Sequence, residues 1–334
     1  MIFSASRVLA VSAFAMLGAT SATAQQFTFK ISSPTINDSS HEYMKAFKAG
    51  VEERSKGKIK VEMYPANQLG QIPATVDGVA LGTIEMTAPA IGFFIGIEPR
   101  FQTLETAGLF DNLAHGIKVL ADPEIRKRLA TFGEAKGVEP LFTILHGDLL
   151  LVTTKPLNTV ADFKGLKLRV AGAAPMHTEP FKRLGASPLA MPLGEVLPAL
   201  QNKAIDGGAV TYPVIMAFKY FDVSKTATRV PSTYTVVSGL VNRRFIKSLG
   251  PELEAIVREE SLKAEQRYGE WGVAEHARVK DAWEKVGGKT VDFSADDVKK
   301  YQAEVDASIA SVVEKNPAMK ADYEAFLATA KKYR

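Results

Sequence analysis

Arg169 is the residue of this chain best placed to do chemistry, standing in the segment Lys164-Gly165-Leu166-Lys167-Leu168-Arg169-Val170. Alternation puts Leu166, Leu168 and Val170 on one face of a short strand and Lys167 and Arg169 on the other. Arg169 falls near the carboxyl end of that strand, where open α/β sheets collect their ligands. A guanidinium is a planar fork that matches a carboxylate through two parallel hydrogen bonds. The pattern alone leaves two roles open: an anion clamp, or a salt bridge at the surface or between lobes.

Catalytic machinery is missing by comparison. There is no G-x-S-x-G nucleophile elbow, and His41-Glu42 is followed by Tyr43-Met44-Lys45 rather than by an H-E-x-x-H pattern. No phosphate-binding glycine loop occurs. The five histidines (His41, His115, His146, His177, His276) show no i,i+4 pairing, and no pair of carboxylates is set apart by context. With no cysteine, thiol catalysis, iron–sulfur clusters, Cys-ligated zinc and disulfides are excluded. Every common enzyme signature fails, and no cofactor or metal is expected. An enzyme would need a general acid or base that the sequence does not single out.

The elements that must position Arg169 read as alternating strands and helices. Phe27, Phe29 and Ile31 alternate as a first strand, and Asn37-Asp38-Ser39-Ser40 offers caps for a helix carrying Tyr43, Met44, Phe47 and Val51. Ile59, Val61 and Met63 form a second strand; a helix over Ile72 to Leu81 and a strand over Ile84 to Thr87 follow. The middle third repeats this grammar, which predicts a largely parallel sheet covered by helices. Val138 to Leu145 and Leu149 to Thr153 read as two runs, and a helix spans Met176 to Leu184. From Pro251 to about Val286 the pattern is almost uninterrupted helix, about 54 Å long and able to run along two lobes.

Composition sets the frame. The chain has 334 residues, enough for two domains of about 150 each. Hydrophobic residues at 46% and charged residues at 23% are ordinary for a globular protein and exclude a disordered chain. A net charge of +4 is too small for the length to suggest a nucleic-acid partner. Arg7 is the only charge before Lys30, Val8 to Gly18 is an apolar run too short to span a bilayer, and Ala22-Thr23-Ala24 is an A-x-A site. Residues 1–24 are therefore expected to be a signal peptide cleaved after Ala24, leaving an exported protein.

Six segments, in this order and spacing, carry a family resemblance. They are Gln68-Leu69-Gly70, Leu81-Gly82-Thr83-Ile84-Glu85-Met86, Phe163 to Val170, Phe181 to Pro188, Met191 to Val196, and Ala199-Leu200-Gln201 with Ile205-Asp206-Gly207. From Phe27 to the C-terminal helices the chain resembles the extracytoplasmic solute-binding subunit of tripartite ATP-independent periplasmic (TRAP) transporters. The resemblance implies an α/β, two-lobe periplasmic binding-protein-like fold with crossing strands and a long helix spanning both lobes. It also implies a small organic acid ligand and membrane permease subunits as partners. Lobe I is expected over 25–147 plus about 234–265, and lobe II over 148–233 plus about 266–334. In that family the arginine of the K-G-L-K-x-R segment clamps the substrate carboxylate, and Arg169 occupies its place.

Two departures bear on the ligand. Members that bind C4-dicarboxylates often carry an arginine where this chain has Leu149, in Gly147-Asp148-Leu149, and Glu-Asn-Pro where this chain continues Ala209-Val210-Thr211. A second carboxylate would lose both partners, and an unpaired buried charge is costly. The expected ligand is thus a monocarboxylate with an apolar or aromatic remainder; a C4-dicarboxylate held by lysine or backbone groups is the alternative. Candidate ligand contacts beside Arg169 are Tyr212, which could stack on a ring, His177 as a hydrogen-bond donor, Phe93 from the opposite lobe, and Asp148.

Overall fold

The computed structural model describes residues 26–334, so the expected leader and its cleavage site lie outside the described residues. β1 (Phe27–Ser32) leads into α1 (Ser39–Arg54), β2 (Ile59–Tyr64), α2 (Ile72–Leu81) and β3 (Met86–Thr87). Two 3-10 turns, Ile91–Phe94 and Pro99–Glu105, precede α3 (Leu113–Ala121) and α4 (Pro123–Leu129). β4 (Val138–Thr153) is followed by β5 (Lys167–Val170), α5 (Pro175–Arg183), β6 (Ser187–Ala190), α6 (Leu193–Gln201), β7 (Gly207–Val210) and α7 (Tyr212–Ala217). The chain then forms β8 (Thr226–Asn242), α8 (Arg243–Ser248), α9 (Gly250–Lys285), β9 (Lys289–Val291), α10 (Ala295–Val313) and α11 (Pro317–Lys332).

The strands form one mixed sheet in the order β2-β1-β3-β8-β4-β7-β5-β6, with β9 beside β8. Pairs are parallel within each end of the sheet, as the strand–helix alternation predicts, and antiparallel where β8 and β4 cross the middle. These two strands, 16 and 17 residues long, belong to both ends. The two apolar runs expected within 138–153 are one strand. Its register shifts at Leu145/Gly147 and Asp148/Leu150, and Gly147 takes φ +142, a conformation that L side chains rarely adopt.

Alternation along β4 builds four cores, one on each face at each end of the sheet. Ile144 joins Phe29, Phe47 and Val61 on one face, while Leu145 joins Phe94, Phe101 and Leu104 on the other. Beyond the irregularity, Leu149 and Leu151 pack with Leu168 and Val170, and Leu150 and Val152 with Val210 and Tyr212. Between Ile144 and Val152 only His146-Gly147-Asp148 interrupts the apolar series.

α9 matches the expected long helix within one residue at each end. Leu253, Val257, Ala264 and Tyr268 enter the core under β1 and β2, whereas Val279 and Trp283 enter the core under β7. One helix therefore contributes apolar side chains to both lobes. α11 departs from the expected division: it was assigned to the second lobe, yet Phe326 and Ala330 pack into the core of the first, and Asp322 binds Arg100 and Arg128. The apolar face of α11 explains this, because it completes the surface left by Phe101 and Phe132. No helix among the described residues is long and apolar enough to cross a membrane.

Trp283 is fully buried at the far end of α9. Trp283→Ala is expected to cost about 3–5 kcal/mol, measured by chemical denaturation. A loss below about 1 kcal/mol would show that α9 does not anchor the second lobe through this side chain.

Candidate functional site

A narrow cavity of about 40 Å³ lies between the two ends of the sheet. One side is supplied by Pro34, Ser40, Ile72, Ala90 and Phe93, and the other by Arg169, Leu193, Val210 and Val214. His146, from the interrupted segment of β4, stands between them. Most of the lining is apolar, and Arg169 is its sole lysine or arginine.

Arg169 is 2% exposed. Its Nε donates to the Met191 carbonyl and its Nη1 to the Ala209 carbonyl, both at 2.8 Å. Among the described residues no carboxylate pairs with it and Nη2 has no hydrogen-bond acceptor. Burial lowers its pKa to about 10, which leaves it charged at neutral pH. A buried cation without a counterion is costly, and two carbonyl dipoles offset only part of that cost. The arrangement holds the fork rigid and leaves one of its tines free for an anion. Ser40 and Leu193 lie in the first turns of α1 and α6, so two helix N-termini add partial positive charge at the cavity wall.

A second polar element borders the cavity. His146 Nε2 lies 2.8 Å from Asp38 Oδ2 and its Nδ1 lies 2.9 Å from Thr211 Oγ1. Asp38 also caps α1, accepting from the His41 N–H at 3.0 Å. Burial pushes the Asp38 carboxyl upward, but His146, Thr35 and the His41 N–H more than offset this and hold it below the usual 3.8. The sequence shows Asp38 as a cap candidate but marks His146 no more than any other histidine. Its one signal is its place beside Gly147, at the break in the apolar alternation.

The candidates read from sequence separate into two groups. Arg169 and Phe93 line the cavity from opposite sides, while the neighbouring Phe94 is core. Tyr212, His177 and Asp148 do not line it. Tyr212 is fully buried beneath α9, its hydroxyl bonded to Thr290 at 2.8 Å and its ring edge-on to His276. Asp148 pairs with Arg229 and lies 3.4 Å from His276, because the register shift turns it toward α9. His177 faces Glu105. Leu149 sits in the apolar core with Leu168 and Val170 rather than at the cavity wall. Among the described residues no group of three or more His, Asp or Glu side chains could hold a metal ion.

The lobes meet closely beside the cavity. A Cβ built on Gly92 would fall 2.0 Å from the Ala171 carbonyl oxygen, and one on Gly172 would fall 2.0 Å from the Gly92 carbonyl oxygen. Glycine is needed on both sides for this approach.

Comparison with known proteins follows the same lines. The sequence model of bacterial extracellular solute-binding protein, family 7, matches residues 32–316. A 2,3-diketo-L-gulonate-binding periplasmic protein of Escherichia coli (strain K12) is 32% identical over 218 residues, which are 65% of this chain and 66%, just under two thirds, of that protein. The C4-dicarboxylate-binding periplasmic protein of Rhodobacter capsulatus is 27% identical over 72% of this chain and 78% of its own length. A sugar acid binding protein of Advenella mimigardefordensis, solved with galactonate, superposes with a TM-score of 0.83 at 22% identity, covering 92% of this chain and 98% of that one.

Two outcomes are expected. Gly92→Ala should hold the lobes apart, weakening ligand binding with unchanged far-UV circular dichroism; unaltered affinity would mean the glycine contact does not limit closure. Asp38, held below its usual value, contributes stability above that value and loses it as pH falls through the folded value. Asp38→Asn should therefore cost about 1–3 kcal/mol at pH 7 and flatten the acid limb of a Tm–pH curve. A parallel curve for the variant would contradict this assignment.

Proposed function

The chain belongs to family 7 of the bacterial extracellular solute-binding proteins, and from that premise we propose that it captures an organic monocarboxylate with an apolar or aromatic remainder and delivers it to a TRAP membrane permease. It is a periplasmic TRAP-type solute-binding protein for organic acids and not an enzyme. The observation that carries the finer reading is Arg169: a buried, charged guanidinium with two carbonyl partners, no carboxylate partner and a place in the cavity wall.

In the proposed cycle the acid enters the open cleft and its carboxylate meets the free edge of Arg169. The lobes then close about a hinge at His146-Gly147-Asp148, where β4 loses its apolar alternation. Closure excludes water, and a lower dielectric strengthens the charge pair. Pro34, Ile72, Phe93, Val210 and Val214 offer an apolar surface to the remainder of the ligand. With one guanidinium in the lining, a second carboxylate would be buried without a fixed cation. The signal peptide, cleaved after Ala24, belongs to the same proposal.

A second reading, a hydroxylated sugar acid, is favoured by the hydroxyl groups of Ser40 and Thr235 in the lining. The relatives named for 2,3-diketo-L-gulonate and solved with galactonate point the same way.

A thermal-shift series with phenylpyruvate, 4-methyl-2-oxopentanoate, galactonate and succinate separates these readings. Stabilisation by the first two is expected. Galactonate acting alone would favour the sugar acid, and succinate acting alone would overturn the monocarboxylate reading. In calorimetry Arg169→Met should weaken the active acid at least about 30-fold while the protein stays folded.

A further inference from the structure

Glu105 and His177 are ionisable side chains that the binding reading leaves unused. Glu105 ends the 3-10 turn whose Phe101 and Leu104 enter the core of the first lobe; His177 sits on α5, whose Met176 and Phe181 enter the core of the second. Their side chains are 1% and 5% exposed, and His177 Nδ1 lies 3.6 Å from Glu105 Oε2. Neither Glu105 oxygen and not His177 Nε2 has a hydrogen-bond partner. A Cβ on Gly92 would lie 3.3 Å from Glu105 Oε2, so the pair stands directly behind the glycine contact that closes the cavity.

The surrounding charges are engaged elsewhere. On α11, Asp322 binds Arg100 and Arg128; on α10, Glu304 binds Arg183; on α5, Glu179 binds Lys182; on β8, Arg229 binds Asp148 and Asp292. Tyr301 of α10 is buried, and the Ile91–Phe94 turn and β6 carry no ionisable side chain. Among the described residues, no other charged group forms an ion pair with either member.

We propose that Glu105 and His177 form a proton-dependent latch between the lobes. In an open cleft both groups are solvated and need no partner. Closing the lobes brings them together out of water. A protonated imidazole then neutralises the carboxylate, whereas a neutral one leaves it buried and unpaired. Closure on ligand therefore takes up a proton when it begins from neutral histidine. The latch is thus stronger at pH 6 than at pH 8. A carboxylate ligand does not change charge in that range, so the effect belongs to the protein. This inference rests on the hinged-closure reading above.

The test compares binding of 4-methyl-2-oxopentanoate at pH 6 and pH 8 by calorimetry. The wild type should bind at least about fivefold tighter at pH 6, a ratio within the usual range of couplings between sites. His177→Gln and Glu105→Gln should each reduce the ratio to less than twofold. Glu265, pushed up to about 7 chiefly by burial, also titrates here, but it pairs with Arg126 inside the first lobe and its effect would persist in both variants. A wild type without pH dependence, or variants that keep it, would overturn the latch. Should this acid bind at neither pH, the ligand reading fails, and the latch is then read without ligand. The chain has no cysteine, so spin labels at Glu53→Cys and Gln201→Cys report the interlobe distance without interference. More short distances at pH 6 than at pH 8, lost in His177→Gln, support the latch; identical distributions reject it.

Discussion

A guanidinium held out of water without a counterion is the constraint around which this molecule is arranged. Arg169 gives up its hydration, gains two carbonyl partners and keeps its charge. Such a group is unfavourable by itself, and its cost falls when an anion arrives. In the proposed function this unmet electrostatic demand is what selects an acid. Rigidity makes the demand specific, since the Met191 and Ala209 carbonyls fix the fork and leave one edge to the cavity.

The fold supplies what a single charge cannot, which is a second wall facing it across the cavity. β4 and β8 run through both ends of the sheet, and α9 puts side chains into the cores of both lobes. These shared elements keep the lobes connected, and in the proposed cycle the polar stretch His146-Gly147-Asp148 is where the crossing strand bends. His146 bridges Asp38 and Thr211 at that place. Gly92 and Gly172 let the two walls approach closely at Ala171.

Much of this was legible in the residue pattern. The alternation around Leu168 and Val170 placed Arg169 on the opposite face of β5, and the uninterrupted helical pattern after Pro251 matched α9 closely. Phe93 was read as a contribution from the opposite wall, and it lines the cavity. What escaped is what depends on register and on long-range packing. The irregularity at Gly147 turns Asp148 toward Arg229 and His276 and sends Leu149 into the core. Tyr212 is taken up by Thr290 and His276 on β9 and α9, more than 60 residues away in sequence. The bridge from Asp38 to His146 joins residues 108 apart, and no local spacing announces it. The placement of α11 on the first lobe is likewise decided by a tertiary surface that its own periodicity cannot name.

The most direct measurement is a crystal structure of the protein loaded with the acid it retains through purification, that acid being identified by native mass spectrometry. The account predicts a carboxylate oxygen about 2.8 Å from Arg169 Nη2, with the rest of the molecule against Phe93 and Val214. A bound acid whose carboxylate sits elsewhere, with Arg169 still unpaired, would contradict it.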